Sequence, residues 1–374
     1  MTIRVDIVTV ADPPTYSLEV AHRLRELADC RLLVSKSYSQ SRIGMAYRLL
    51  DHPLRVAFVR RRGALLHIDS QSLAYLSAYP TYPPIVVTCL DIVTFLPEFD
   101  DPSYVSREGV FDRAYYRLLT RGLRRATRLV AISHFVKSAL VNLGFDGAAV
   151  DVVPMGVDLR VFHPRKQSES QAVRTAFGIP EGKRLVLFVG SEHPRKNIER
   201  LLHAFALLSD PNVILVKVGA PRHPQRAEYH RLAKALEIQN RVVFLDRVSD
   251  TMLPLLYSAA DAFVLPSLHE GFGIPPLEAM ASGTPVAVSN LTSLPEVAAH
   301  AALYFDPYDA GDIADALRTI LTNAQLREEL QSRGIERAAL FPWAKTLKGL
   351  LESYHRATAQ SGRRPPPESL TPPA

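Results

Sequence analysis

Short apolar runs recur along the whole chain, separated by stretches in which apolar residues fall at helical spacing. In the first half they occupy residues 3–10, 31–35, 64–68, 85–89, 129–132 and 150–154. Six comparable runs follow at 184–190, 213–218, 242–245, 262–265, 285–288 and 302–305. Runs this short, branched and bounded by Gly, Pro or Ser suit strands buried on both faces, and Leu18, Ala21, Leu24 and Ala28 behind the first run mark a helix. Strands alternating with helices predict an α/β chain with two doubly wound, mostly parallel sheets. Ligands of such sheets sit at the carboxyl ends of the strands, so the loops that carry Asp12, Asp69, Asp91 and Ser133 are the first places to look.

The length of 374 residues is comfortable for two domains, and 47% hydrophobic residues can fill two cores. The polar stretch from Arg165 to Ser170 suggests a boundary near 165/166. The formal charge of +6 is uneven, because residues 1–165 carry 21 Lys/Arg against 16 Asp/Glu. A basic half suits an anionic membrane face, a nucleic acid or a phosphorylated substrate. Cys30 and Cys89 form neither a CxxC pair nor a disulfide framework, which fits a reducing cytoplasm. Arg4 and Asp6 interrupt the first apolar run, so it reads as a strand rather than a secretion signal. No apolar stretch approaches the roughly 20 residues that span a bilayer, and a soluble or peripheral protein is expected. The Pro- and Ser-rich tail 359–374 is expected to be disordered.

The densest cluster of special residues is HEGFGIPPLE at 269–278. Gly271 and Gly273 let the backbone approach a ligand, and Pro275-Pro276 fits the first turn of a helix that ends near Gly283. A strand, a glycine loop and a helix N-terminus in that order form an anion site. Glu270 and Glu278 flank it, one placed for a sugar ring and the other for a ribose, which suggests a sugar nucleotide. A second cluster follows the run at 184–190, where Arg195 and Lys196 precede a helix from about Ile198. The helix dipole disfavours cations there by up to about 1 kcal/mol. A bound pyrophosphate would resolve that conflict through charge-assisted bonds of roughly 1.5–3 kcal/mol each; the alternative is a pair of exposed surface cations.

Asp91 follows a buried-type strand and either reaches an acceptor hydroxyl or caps a turn. His67, inside an apolar run, reads as a core histidine, and His134 follows Ser133 at a helix start. Two basic stretches stand out: Arg60-Arg61-Arg62, and residues 112–128 with Arg113, Arg117, Arg121, Arg124, Arg125 and Arg128. Arg113, Arg117, Arg121 and Arg124 share one helical face. That face is either simply solvated or a peripheral membrane contact with Tyr115, Tyr116, Leu118 and Leu119 as apolar neighbours. No nucleic-acid reader motif accompanies the arginines. The chain also lacks a GxGxxG loop, HExxH, a P-loop and cysteine-based zinc spacing, which argues against an NAD-dependent dehydrogenase and leaves no metal site to expect.

HEGFGIPPLEAMASGTPV, with seven residues between Glu270 and Glu278, resembles the signature of the family 4 retaining glycosyltransferases. GSEHPRKN at 190–197, NRVVFLDRVSD at 240–250, LPEV at 294–297 and VVPMGVD at 152–158 resemble further blocks of that family in the expected order. The resemblance implies the GT-B fold: an acceptor-binding Rossmann-like domain over 1–165, a donor-binding one over 166–340 facing it across a cleft, and a helix at 341–358 crossing back. It implies a nucleotide diphosphate sugar as donor, a glycan or lipid-linked glycan as acceptor, and no cofactor. Carried over residue by residue, Glu278 holds ribose hydroxyls, Glu270 contacts the transferred sugar, and Lys196 binds phosphate. Gly190 ends the first strand of the donor domain, backbone groups of Gly271, Phe272, Gly273 and Ile274 meet sugar and phosphate, and Val248 lies beside the base.

Departures from the family pattern are Ser191 in place of an arginine, with Arg195 as its substitute, Ala11-Asp12-Pro13-Pro14 in place of a Gly-Gly loop, and Leu90-Asp91 in place of His-Asp. Retaining transfer of a hexose, with mannose from GDP-mannose favoured, is the expectation, in the cytoplasm or at the inner membrane face. A GT-B protein that binds the donor without transfer and a sugar-nucleotide epimerase are the alternatives.

Overall fold

The computed structural model describes residues 3–9, 15–34, 53–54, 56, 59, 61, 63–79, 84–92, 110–222 and 224–361. Every apolar run becomes a strand, with ends shifted by at most two residues. The first sheet holds β1 (Arg4–Thr9), β2 (Asp29–Val34), β3 (Leu65–Ile68), β4 (Ile85–Cys89), β5 (Arg128–Ala131) and β6 (Val150–Val152), in the order β2-β1-β3-β4-β5-β6. The second holds β7 (Arg184–Val189), β8 (Val213–Val218), β9 (Val242–Leu245), β10 (Ala262–Leu265), β11 (Val286–Ser289) and β12 (Ala302–Phe305), in the order β12-β11-β10-β7-β8-β9. All strand pairs are parallel. β3, β4, β5, β8, β10 and β11 are buried at every position, so their sequences run apolar without the alternation of a half-exposed strand.

The chain divides into two compact units, Met1–Val153 with Thr346–Ala374, and Pro154–Lys345. The division falls before the polar stretch near 165, because residues 154–165 are tied to the second unit. The Val157 amide donates to Phe341 O, the Phe162 ring packs edge-on to Tyr257, and the Arg165 amide donates to Ser258 Oγ. The last helix, Trp343–Ser361, continues past residue 358, so Ala359 to Ser361 are helical rather than disordered. Leu350, Tyr354 and Ala357 keep a fully buried stripe at helical spacing that carries it forward. Residues 362–374, the loop with Asp12, and Arg60 and Arg62 lie outside the described residues.

Two charge clusters of the first unit are tied up within its sheet. Asp6 in β1 is fully buried and receives hydrogen bonds from Arg31 and from the amide and guanidinium of Arg61, so Arg61 belongs to the core edge rather than to a basic surface. Arg128 also leaves the basic helical segment, which ends at Arg125. It starts β5, where its guanidinium pairs with Asp151 of β6 at 2.5 and 3.0 Å.

His67 in β3 is a core residue, as expected. Its Nε2 lies 2.8 Å from Thr88 Oγ1 and its Nδ1 2.8 Å from the Tyr354 hydroxyl, and burial pushes its pKa down to about 3. A neutral imidazole donates from one nitrogen and accepts at the other, so both are satisfied. The Tyr354 hydroxyl thereby pins the last helix to the first sheet. Tyr354→Phe removes one partner and leaves a buried imidazole nitrogen unmet, which costs about 1–3 kcal/mol. We expect an earlier midpoint in denaturant unfolding; an unchanged midpoint would show that the contact carries no stability.

Candidate functional site

The second sheet runs from β7 outward to β9 and then restarts with β10 on the other side of β7, so its strand order reverses between β7 and β10. Loops from such neighbours splay apart and leave a crevice at their carboxyl ends. The loop after β7 and the loop after β10, the two clusters singled out in the sequence, both border that crevice and touch at its floor. The Leu268 amide donates to Arg195 O at 2.8 Å. Asn197 takes a left-handed conformation (φ 57°, ψ 39°), which Asn tolerates better than most residues, and its side-chain amide donates to Pro266 O and Pro307 O.

The contact between the loops is centred on Glu270. Its carboxylate accepts from Lys196 Nζ at 2.5 Å through one oxygen and from Arg195 Nη1 at 3.1 Å through the other, and the same Nη1 donates to His269 O at 2.8 Å. Glu270 and Lys196 are both buried. Burial by itself would raise the Glu270 pKa, but the adjacent Lys196 and Arg195 charges and the Lys196 hydrogen bond outweigh it and hold the carboxyl at about 2. The conflict of two cations beside a helix start is thus met within the protein by Glu270. The loop around it is braced from the stretch before Leu294: Thr292 Oγ1 accepts from the Glu270 amide, and the buried Ser293 hydroxyl donates between Glu270 O and Phe272 O.

Beyond Phe272 the chain turns at Gly273 into the helix Ile274–Ala281. Gly273 has φ +116°, and a Cβ there would lie 2.9 Å from Leu294 Cδ2, so any other residue would be strained and crowded. Pro275 and Pro276 carry no N–H. Of the first three helical residues only Ile274 can donate, so the amides of the Gly271–Ile274 loop make up the donor-rich part of this helix start.

One turn on, Glu278 Oε2 accepts from the Tyr257 hydroxyl at 2.9 Å. Although Glu278 keeps a little solvent access, its surroundings are desolvated. That burial pushes its pKa up to about 7 against the lowering effect of the Tyr257 hydrogen bond, and the Asp250 charge adds to the rise. The two carboxylates of one motif thus have opposite electrostatic settings.

Gly190 lies at the end of β7, where its amide donates to Val218 O, and Val248 follows the end of β9. Asp91 belongs to the other unit, just past β4, and its Oδ1 accepts from Gln71 Nε2 at 2.8 Å while Gln71 Oε1 accepts from the Leu90 amide. That side-chain clamp fixes the loop and leaves Asp91 partly exposed. Tyr257, Asn197 and Ser293 were not foreseen. Each acts through a partner distant in sequence, so only Asn197, next to Lys196, stood inside a stretch already marked.

Residues 1–161 match the model of the Glycosyltransferase Family 4 group, and residues 169–337 match that of the glycosyl transferases group 1. The D-inositol 3-phosphate glycosyltransferase of Mycolicibacterium smegmatis is 37% identical over 247 residues, 64% of this chain and 55% of that protein. The serotype-specific mannosyltransferase WbdA of Escherichia coli is 35% identical over 292 residues, 74% of this chain and 34% of that protein. The chain therefore spans about half the length of the first relative and about a third of the second. Among solved structures, Anabaena Alr3699/HepE in complex with UDP and glucose superposes with a TM-score of 0.80 at 19% identity, over 94% of this chain and 99% of that one. WaaG, a glycosyltransferase involved in lipopolysaccharide biosynthesis, gives 0.70 at 18%, over 90% and 95%. At such identities the likeness is one of fold. Family models that take in both sheets, on a chain whose fold is shared over 94% of its length with the HepE structure, make it a member of the family 4 glycosyltransferases with the α/β GT-B fold.

Proposed function

We propose that this chain transfers a hexose, with retention of anomeric configuration, from a nucleotide diphosphate sugar to a glycan or lipid-linked glycan. The observation that carries the reading is the Glu270 carboxylate held between Lys196 and Arg195 at the strand-order reversal, in the loop before the helix that carries Glu278 in its second turn. In this reading the diphosphate lies against Lys196, Arg195 and the amides of Gly271, Phe272, Gly273 and Ile274. These groups stabilise the charge that builds on the leaving phosphate without having to reorganise. Glu278 holds the ribose and Glu270 the transferred sugar. Val248 lies beside the base, Gly190 lines the donor site, and Asp91 lies on the acceptor side. Attack comes from the leaving-group face: the acceptor oxygen bonds to the anomeric carbon, the bond to phosphate breaks, and the acceptor proton passes to the departing phosphate oxygen.

Mannose from GDP-mannose is the favoured donor, supported by the mannosyltransferase name of the WbdA relatives. A screen of GDP-mannose, UDP-glucose and UDP-GlcNAc against an acceptor panel, read by mass spectrometry, tests it. Donor binding with neither transfer nor hydrolysis would overturn transfer in favour of a binding protein.

Glu270→Gln and Lys196→Ala should each lower kcat/KM by about 10²–10³, the scale of losing about 2.7–4 kcal/mol of transition-state stabilisation. In Glu270→Gln the two cations lose their internal counter-charge, so nucleoside diphosphate should bind at least as tightly as in the wild type while turnover falls. Near-wild-type turnover on a verified donor would remove both residues from the mechanism.

Glu278 adds a pH dependence. Its carboxyl titrates near 7 in the free protein, and ribose hydroxyls donate to the ionised form, so the donor binds the deprotonated state better. Donor KM should therefore fall as pH rises from 6 to 8, and Glu278→Gln should flatten the profile. A profile unchanged by that substitution would assign the dependence elsewhere.

Peripheral membrane contact is proposed through the helix Val110–Arg125. Arg113, Arg117, Arg121, Arg124 and Arg125 are exposed, whereas Tyr115, Leu119 and Leu123 are buried on the opposite side, and the Tyr115 hydroxyl donates to Ser72 O. The contact is thus electrostatic, and Tyr115 and Leu119 are not available to lipid. No described helix is long and apolar enough to cross a membrane. The protein should float with anionic liposomes and not with neutral ones; absence from both would end the idea.

A further inference from the structure

A buried charged cluster beside the donor site has no part in the mechanism above. Glu192, two residues past Gly190, is fully buried. One of its oxygens accepts from Lys217 Nζ at 2.9 Å and from Arg226 Nε at 2.5 Å, and the other accepts from the Arg222 amide at 2.8 Å. Lys217, the penultimate residue of β8 and 1% exposed, also donates to Gly219 O at 2.7 Å. Arg226 reaches on to Asp246 at 3.0 Å, one residue past β9, and its guanidinium stacks over Phe244.

The carboxylate joins the loop after β7 to the loop after β8 directly, through the Arg222 amide, and reaches the loop after β9 through Arg226 and Asp246. The first two loops also touch directly. Gly219 has φ +136°, and a Cβ there would lie 2.2 Å from Gly190 O, so the β7 and β8 loops pack backbone to backbone.

Burial penalises both members of the pair unequally. It would raise the Glu192 pKa, but Lys217, the Arg222 amide and Arg226 more than offset it, and the group ends below its usual value. For Lys217 burial prevails over Glu192 and the ammonium is pushed down. A buried ion pair is on average no more stabilising than apolar residues of the same shape, so stability alone does not account for this one. What it achieves geometrically is a fixed relation among three loops.

We propose that Glu192 is a positioning residue for the nucleoside end of the donor: through Lys217, Arg226 and the Arg222 amide it locks the Gly190, Gly219 and Asp246 loops into the wall that receives base and ribose. The proposal rests on the donor reading above. The phosphates are held by a different set, Lys196, Arg195 and the loop 271–274, so the two ends of the ligand can be tested separately.

The test compares wild type, Glu192→Gln, Glu192→Ala and Glu192→Gln/Lys217→Met, with thermal melts as a folding control. For each, binding of GDP, UDP and inorganic pyrophosphate is measured by calorimetry, and donor KM and kcat by turnover. Glu192→Ala should weaken nucleoside diphosphate binding and raise donor KM by about tenfold, with kcat within about threefold and pyrophosphate binding unchanged. Glu192→Gln, which still accepts from the Arg222 amide, should recover part of the loss. The shape-preserving double variant should melt near wild type and still bind nucleotide more weakly, which keeps the test decisive if Glu192→Ala fails to fold. Wild-type nucleotide affinity in the folded variants, equal loss of pyrophosphate and nucleotide binding, or a fall in kcat at constant KM would each overturn the proposal. Binding of neither nucleotide by the wild type would overturn the donor reading itself, an outcome visible before any variant is compared.

Discussion

The second unit is organised by a carboxylate shared between two cations. Glu270 comes from the loop after β10, and Lys196 and Arg195 from the loop after β7. They meet only because the strand order reverses there, which makes neighbours of two strands far apart in sequence. Without that topology Lys196 would be a cation at the wrong end of a helix. With it, the desolvation cost of three buried or half-buried charges is offset by short hydrogen bonds and by the pairing of the Leu268 amide with Arg195 O. A diphosphate entering this crevice would therefore meet cations already oriented and already neutralised, and it would have to share them with Glu270 rather than recruit them from solvent.

The same motif sets its second carboxylate in a contrary environment. Glu270 faces two cations and stays ionised far below neutrality, whereas Glu278, among the described residues, meets the Tyr257 hydroxyl, with Asp250 contributing repulsion. Two glutamates eight positions apart thus have separate ionisation ranges, an arrangement that lets one act as a permanent charge and the other respond near pH 7. The spacing comes from a tight turn at Gly273 and one helical turn after it. Leu294, packed against Gly273, and Ser293, bonded to both Glu270 O and Phe272 O, hold that turn.

Local patterns carried most of the fold into the sequence. Twelve strands among the described residues declared themselves as apolar runs, most plainly the six that are buried at every position, and the glycine and proline positions announced the turn before Ile274–Ala281. Partners at long range were not legible. Nothing in AFVLPSLHEG says that Glu270 will be claimed by Lys196, so the anion inferred from the cations alone was taken to be external when the chain supplies one itself. The prolines were read as good helix starters, correctly, yet they also withdraw two N–H groups from the anion site they open. Tyr115 and Leu119 looked like lipid neighbours of the arginine face, but the segment Gln71–Ala78 covers them. Arg128 looked like the end of the same helical segment, but a strand start and Asp151 claim it.

Glu192 and Lys217 illustrate the limit most sharply. A lysine inside VILVKV and a glutamate in a polar loop each have an ordinary explanation, and only strand pairing brings them together. Buried ionic groups occur in this unit where parallel strands end and loops must be held against one another, at β7 with β10 and again at β7 with β8 and β9. Apolar packing can press such loops together but does not specify the angle at which their backbones cross, whereas a carboxylate with three donors does. The two clusters leave β7 through a single loop, with Glu192 and Lys196 four residues apart. Asn197 closes that loop with its own bonds to Pro266 O and Pro307 O, so the Glu192 cluster and the Lys196 cluster each fix their own stretch of Gly190–Asn197.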